Sequence, residues 1–395
     1  MSSGHSTRAG ALLDLARLFL RLGTTAFGGP AAHIAMMEDE VVRRRQWLSR
    51  EQFLDLLGAT NLIPGPNSTE MAIHVGNRRA GWPGLLIAGS CFILPAMMIV
   101  GVIAWAYVRF GGLPQVEGLL YGIKPVIIAV VAQALWGLGR TAVKTGWLAL
   151  MAATGVVLGF LGVHELLLLF GIGALTAVAR VVADRKNVGL GCRFALLGVI
   201  PGVPLLPAVG TVGAIAGSPF SLWALFLFFI KVGSVLFGSG YVLLAFLRAD
   251  LVERWHWLTE NQLLDAISVG QFTPGPVFTT ATFIGYLLGG PAAALLATVG
   301  IFLPAFFFVA VSGPLVPRVR RSPVAGAFLD GVNVASLSLM TVVTWHLAAA
   351  AMVDWVTVLV ALTAAFLLLR YRVNSAWLVL GGACAGFLAS LAAVR

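Results

Sequence analysis

Two runs place helix breakers and hydrogen-bond donors at matching spacing. One is Asn61-Leu62-Ile63-Pro64-Gly65-Pro66, followed by Asn67-Ser68-Thr69; the other is Gln271-Phe272-Thr273-Pro274-Gly275-Pro276, followed by Val277-Phe278-Thr279-Thr280. Proline lacks an N–H and pushes the residue before it out of the helical region, so no continuous helix survives the tripeptide. The second proline of each run suits the first position of a new helix. The amides just after it have no intrahelical acceptor, and the helix dipole is positive there. Such an end holds anions. The hydroxyls of Ser68, Thr69, Thr273, Thr279 and Thr280 add donors, as do the amides of Asn61, Asn67 and Gln271. With no metal or cofactor motif nearby, the chemistry favours an oxyanion over a cation. The alternative is a tight turn between two membrane hairpins.

Other residues share this spacing. Arg21 and Lys231 occupy equivalent places in apolar stretches, where an ionisable group is costly and marks either a pathway or a snorkelling cation. Gly28-Gly29 and Gly238-Ser239-Gly240 either present backbone amides to an anion or allow close helix packing. Glu70 and His74 stand one helical turn apart, whereas the second run has Thr280 and Ile284 there. That asymmetry makes the pair a candidate for proton coupling, against an ordinary satisfied pair. Asp55 and Asp265 match each other and read as solvated or structural carboxylates. Asn333 matches Lys124 and stands as a pathway-lining candidate. Cys91, Cys192 and Cys384 are scattered and read as packing residues.

Elements must hold these groups. Ser49-Arg50-Glu51-Gln52 and Thr259-Glu260-Asn261-Gln262 fit capping boxes, each opening a helix of about three turns that runs into a Pro-Gly-Pro. Half-helices over Asn67–His74 and Val277–Tyr286 leave the breaks. Longer apolar helices follow, carrying Pro95 and Pro304. Polar amphipathic segments, Met37–Arg45 and Arg248–Arg254, precede the caps.

The spacing repeats between two halves of the chain, over the first part of each. At a shift of 210 residues, Phe27-Gly28, Trp47-Leu48, Gln52, Asp55 and Pro64-Gly65-Pro66 meet Phe237-Gly238, Trp257-Leu258, Gln262, Asp265 and Pro274-Gly275-Pro276. At 209, Gly76, Leu94-Pro95-Ala96 and Gly122 meet Gly285, Leu303-Pro304-Ala305 and Gly331. The expected organisation is a repeat over 11–182, a linker over 183–219 with an extra apolar segment Phe194–Gly217, and a second repeat over 220–393. Arg78 and Arg79 precede the long helix of the first half, whereas Arg318, Arg320 and Arg321 follow that of the second. The positive-inside rule then sets the two helices in opposite directions. Arg43, Arg44 and Arg45 obey the rule only if the early segments are hairpins.

The chain of 395 residues is 59% hydrophobic and 11% charged, far from the roughly 25% charged of a soluble domain. The fold class is therefore all-α: a polytopic integral membrane protein of two homologous, inverted-topology repeats, with about 10–12 hydrophobic segments including broken or re-entrant helices. The net charge of +10 reads as loop topology, with anion attraction as a second contribution. Basic residues in short clusters between apolar segments give no nucleic-acid site. No HExxH or GxSxG occurs, so an enzyme is not expected, and neither is a cofactor or metal.

Phe27-Gly28-Gly29-Pro30, Trp47-Leu48, Asn61 to Ser68, Gly122-Ile123-Lys124-Pro125, Gln271 to Pro276 and Gly331-Val332-Asn333 together resemble the chromate ion transporter family, in its long-chain, two-domain form. The resemblance covers nearly the whole chain. It implies secondary export of chromate across a bacterial inner membrane, conferring chromate resistance and driven by the membrane potential or protons. It also implies sulfate as a related tetrahedral oxyanion. A transporter of sulfate or another oxyanion, or an anion channel, is the alternative. The expected partners are such an oxyanion and the membrane lipids, with a homodimer left open.

Overall fold

The computed structural model describes residues 8–27, 29–187, 220–237, 242–320, 322–371 and 373–393. Gly28, Gly238, Ser239, Gly240, Cys192 and the segment Phe194–Gly217 lie outside them. The described residues form helices and turns, without strands.

The first half carries α1 (Arg8–Thr25), α2 (Gly29–Glu38), α3 (Arg50–Thr60), α4 (Asn67–Phe110), α5 (Pro114–Ala142), α6 (Gly146–Phe160) and α7 (Glu165–Asn187). The second carries α8 (Leu222–Val235), α9 (Leu243–Leu247), α10 (Glu260–Phe272), α11 (Thr280–Arg320), α12 (Pro323–Ala351), α13 (Trp355–Phe366) and α14 (Ser375–Ala393). Among the described residues each helix of one half has its counterpart seven places later. The expected amphipathic segments continue α2 and α9 as π-helical turns, Asp39–Arg44 and Arg248–Arg254.

Neither long helix is one rod. In α4, Ala80 and Gly81 (φ 63°) leave the helical region, and a Cβ on Gly76 would collide with the carbonyl of Gly84. In α11 the matched Gly289 and Gly290 (φ 70°) do the same, and Gly285 meets Ala293. A glycine takes the positive φ at each bend.

Equivalent helices pass each other in opposite directions. Gly89 of α4 lies against Phe306 of α11, whereas Met97, Gly101 and Trp105 share a groove with Thr282, Tyr286 and Leu295. In the pair α5 and α12, Lys144 reaches Asp330 at one end, and Tyr121 shares a cavity with Ala350 at the other.

The halves interlock. Helices α6 and α7 pack on α12, and α13 and α14 pack on α5. The two crossings are alike: Gly122 sits against Gly382 and Gly386, and Gly331 against Gly173 and Thr176. Small residues here let the helix backbones touch, the usual basis of packing where lipid removes the hydrophobic drive.

Five described helices are long and apolar enough to cross a membrane. Their outward faces are apolar at matched places: Leu86 and Leu295, Leu94 and Leu303, and Met98 and Phe307 are all exposed. In water so wide an apolar surface would aggregate; against lipid it is the stable face. The chain is a multi-pass membrane protein.

Candidate functional site

Local sequence builds two hairpins. Ser49 accepts a hydrogen bond from the Gln52 amide and Gln52 Oε1 accepts one from the Ser49 amide, as expected; Thr259 and Gln262 repeat the arrangement. Helices α3 and α10 then run to the breaks. Gly270 near the end of α10 lies against Thr280 and the carbonyl of Val277, so the chain doubles back there. Pro-Gly-Pro is thus the tip of a helical hairpin in the second half, with Gly275 at φ 89°; Gly65 takes φ 142° in the first.

Each tip is seated in the other half. The Gly65 amide donates to the carbonyl of Leu236, beyond the end of α8, at 2.7 Å. The Gly275 amide donates to the carbonyl of Ala26, beyond the end of α1, at 2.9 Å. His33 Nε2 also lies 3.1 Å from Ala26 O. Gly65 rests near Ala305, and Gly275 near Ala96 and the carbonyl of Gly23. Ala96 and Ala305 follow the matched Pro95 and Pro304. The two tips therefore occupy equivalent seats, each made by the first helix and the proline-bearing helix of the opposite half.

The expected donors divide into two groups. Pro66 O accepts from the amides of Thr69 and Glu70, and Pro276 O from that of Thr279. Short helical turns have taken those groups, so the set of helix-start amides left over is narrower than the sequence implies: Asn67 and Ser68 in one half, Val277 and Phe278 in the other. The hydroxyls of Thr273, Thr279 and Thr280 donate back to Val269, Pro276 and Val277. Asn67 Nδ2 donates to Asn61 Oδ1 at 2.9 Å, spanning the first break. By contrast Thr69 Oγ1 and Gln271 Nε2 are buried with no hydrogen bond inside the protein. Pro64, Pro66, Ser68, Pro274 and Pro276 are buried around them. Gly29 opens α2 at φ 78°.

Arg21 and Lys231 meet carboxylates rather than the tips. Arg21 Nη2 lies 2.6 Å from Glu40, and Lys231 Nζ lies 2.8 Å from Asp250. Glu40 and Asp250 are themselves matched at the 210 shift. Burial alone would raise the Glu40 carboxyl. Hydrogen bonds from Arg21 and Arg45 and the charges of Arg21 and Arg44 outweigh it, so it sits below its ordinary value. Both cations are compensated within their own half and join the first helix to the π-turn.

Glu70 is wholly buried at the first turn of α4, and a Cβ on Gly65 would collide with its Oε1. Neither carboxylate oxygen makes a hydrogen bond, and nor does His74 Nε2. The pair is therefore not an ordinary hydrogen-bonded one. Buried polar groups without partners are rare, which makes these informative.

One cluster stands out only in space. Lys124 of α5 lies 3.0 Å from Asp265 Oδ1, and Tyr107 of α4 donates to Asp265 Oδ2 at 2.8 Å. Asp265 is buried rather than solvated, and its partners are not apparent from spacing. The available signal was a lone lysine well inside an apolar helix. The cluster lines a cavity of about 320 Å³, and the matched region around Asn61, Asn333 and Ser336 lines one of about 380 Å³.

The profile of the family described as chromate transporter matches residues 13–178 and again 223–387. A chromate transport protein of Cupriavidus metallidurans is 32% identical, covering 96% of this chain and 94% of the relative. One of Pseudomonas aeruginosa is 31% identical, covering 94% of this chain and 90% of the relative. An uncharacterised transporter of Bacillus subtilis, YwrA, is 35% identical over 33% of this chain and 75% of its own length. No solved structure matches.

Proposed function

The chain belongs to the chromate transporter family, and from that premise we propose that it carries chromate across the membrane, with sulfate as a tetrahedral oxyanion of the same kind. The relatives of Cupriavidus metallidurans and Pseudomonas aeruginosa, which cover nearly the whole chain, are named chromate transport proteins. The observation that carries the mechanism is the reciprocal seating of the two hairpin tips, Gly65 on Leu236 and Gly275 on Ala26. A helix start with donors then lies on each side of the junction between the halves. Antiparallel passage of α4 by α11 and of α5 by α12 supports inverted repeats, with 11–182 and 220–393 as the units. Rocking one half against the other would expose the tips to each face in turn.

In this reading an oxyanion is held by the amides after Pro66 and Pro276 and by Asn61, Asn67, Ser68, Thr69 and Gln271. Glu70 and His74 exchange the proton, being buried, titratable and beside the first tip. Transport is outward from the cytoplasm across a bacterial inner membrane. The test is uptake into everted vesicles from cells expressing the chain. Chromate is expected to accumulate, sulfate to compete, and Asn67→Ala to weaken uptake. Vesicles that accumulate no chromate, with or without sulfate, end this reading. Discrete single-channel currents would replace it with an anion channel.

A further inference from the structure

The cations that sequence places in the membrane, Arg21 and Lys231, are each neutralised by a carboxylate of their own half. A dianion crossing an apolar region still needs positive charge. Lys124 lies ten residues after Pro114, about 15 Å along α5 at ~1.5 Å per residue. Its side chain is 16% exposed and faces a cavity of about 320 Å³. Tyr107, Glu117, Tyr121, Asn261 and Asp265 share that cavity. The helices that meet there, α4 and α5 of the first half and α10 and α12 of the second, come from both halves.

The second cavity is its equivalent. At the 209 shift Tyr121 and Lys124 become Asp330 and Asn333, while Ala350, Ala351 and Val353 match Thr141, Ala142 and Lys144. All of these line the cavity of about 380 Å³. The two cavities therefore lie at opposite ends of the antiparallel α5 and α12 pair. One offers a lysine beside a buried aspartate. The other offers the amides of Asn61 and Asn333, the buried hydroxyl of Ser336, which makes no hydrogen bond, and the more exposed ion pair of Lys144 with Asp330.

We propose that the Lys124 cavity is a binding site for a tetrahedral dianion, in which the anion displaces the Asp265 carboxylate from Lys124. Asp265 keeps the Tyr107 hydroxyl as its partner. The Asn261 amide supplies a donor to the anion, and the Tyr121 hydroxyl, which donates to Asp354 Oδ2 at 2.5 Å, adds a second by turning from that carboxylate. The second cavity, whose cation Lys144 is 58% exposed and paired with Asp330 at 2.7 Å, holds the same anion more weakly than the buried Lys124 does, so the two ends of the path differ in affinity. This rests on the oxyanion-transport reading.

Uptake of chromate into vesicles, with sulfate as the redox-inert competitor, tests it. Lys124→Met is expected to raise KM about tenfold or more, and Lys124→Arg to stay within about threefold of wild type. Asp265→Asn removes the competing carboxylate and is expected to lower KM. The double variant Lys124→Met/Asp265→Asn should remain as poor as Lys124→Met. If Asp265→Asn is impaired like Lys124→Met and the double variant recovers, the pair is only a structural joint and the proposal is overturned. Should Lys124→Met not fold, Asp265→Asn decides: an unchanged or raised KM overturns the proposal. Wild-type vesicles inert to both anions end the transport reading itself, whereas active wild type with an unaffected Lys124→Met ends only the assignment of Lys124.

Discussion

The amide of Gly65 donates to the carbonyl of Leu236 at 2.7 Å, tying the hairpin tip of one half to the first helix of the other. Gly275 repeats the bond with Ala26. Because each bond crosses between halves, a rocking of one half against the other strains or breaks both. Whatever moves the halves moves both helix starts.

The glycines at the tips are expected to be intolerant. Gly65→Ala must place a Cβ at φ 142° and against Glu70, and Gly275→Ala must do so at φ 89° and 2.6 Å from Ala96. Strained backbone of this kind costs about 1–3 kcal/mol before any clash is counted. Gly81→Ala is the control. Its φ is also positive, with ψ −149°, a conformation essentially confined to glycine, but nothing lies within 4 Å, so backbone strain alone should cost about 1–3 kcal/mol. Thermal unfolding of purified protein in detergent should rank Gly81→Ala clearly above the other two. Equal Tm values for all three would remove the steric part of the argument.

The matched ion pairs should differ in weight. Asp250→Asn takes the carboxylate from Lys231, while Arg254 keeps Glu165, and Lys231 sits in apolar α8 with its side chain only 21% exposed. Leaving a buried charge uncompensated costs about 3–5 kcal/mol. Glu40→Gln releases Arg21, but that side chain is 50% exposed, and exposed pairs contribute about 0–1 kcal/mol. A larger fall in Tm for Asp250→Asn than for Glu40→Gln is expected, and the reverse order would contradict this account.

Much of this architecture was legible because the repeat leaves chemistry at fixed offsets. The capping boxes at Ser49 and Thr259, the breaks at Pro64 and Pro274 and the turn glycines are local signals, and local physics reads them. What stayed hidden was partnership. Arg21 and Lys231 look like free cations until Glu40 and Asp250, nineteen residues further on in each half, fold back onto them. Lys124 and Asp265 come from different halves, 141 residues apart, so neither periodicity nor spacing could pair them. The donor set was overestimated for the same reason. A hydroxyl such as Thr279 appears available in a sequence, yet it closes onto the carbonyl three residues back.

The Glu40 clamp has a definite pH dependence. Its carboxyl is held below the ordinary value of 4.5, so the charged form is the one that the fold favours. Its contribution to stability is full above that value and is lost as pH falls through the depressed folded-state value. Wild-type Tm should drop on acidification below about 4.5 more steeply than that of Glu40→Gln, which has no such proton to bind. Parallel curves would show that Arg21, Arg44 and Arg45 do not hold this carboxylate.

Glu70 separates function from stability most cleanly. It is wholly buried, and neither oxygen makes a hydrogen bond. Glutamine keeps its shape but binds and releases no proton, so Glu70→Gln should leave Tm about unchanged, since both side chains are buried polar groups without partners. Transport should respond differently. If Glu70 exchanges the proton, the pH dependence of chromate uptake flattens in Glu70→Gln, while chromate binding measured at a single pH persists. Thr280, the matched residue, already donates to Val277 at 2.8 Å, so Thr280→Val should leave the shape of the pH profile as it is. Unaltered pH dependence in Glu70→Gln would assign the coupling elsewhere. A flattened profile in both variants would mean that the hairpin tips, rather than the carboxylate, set it.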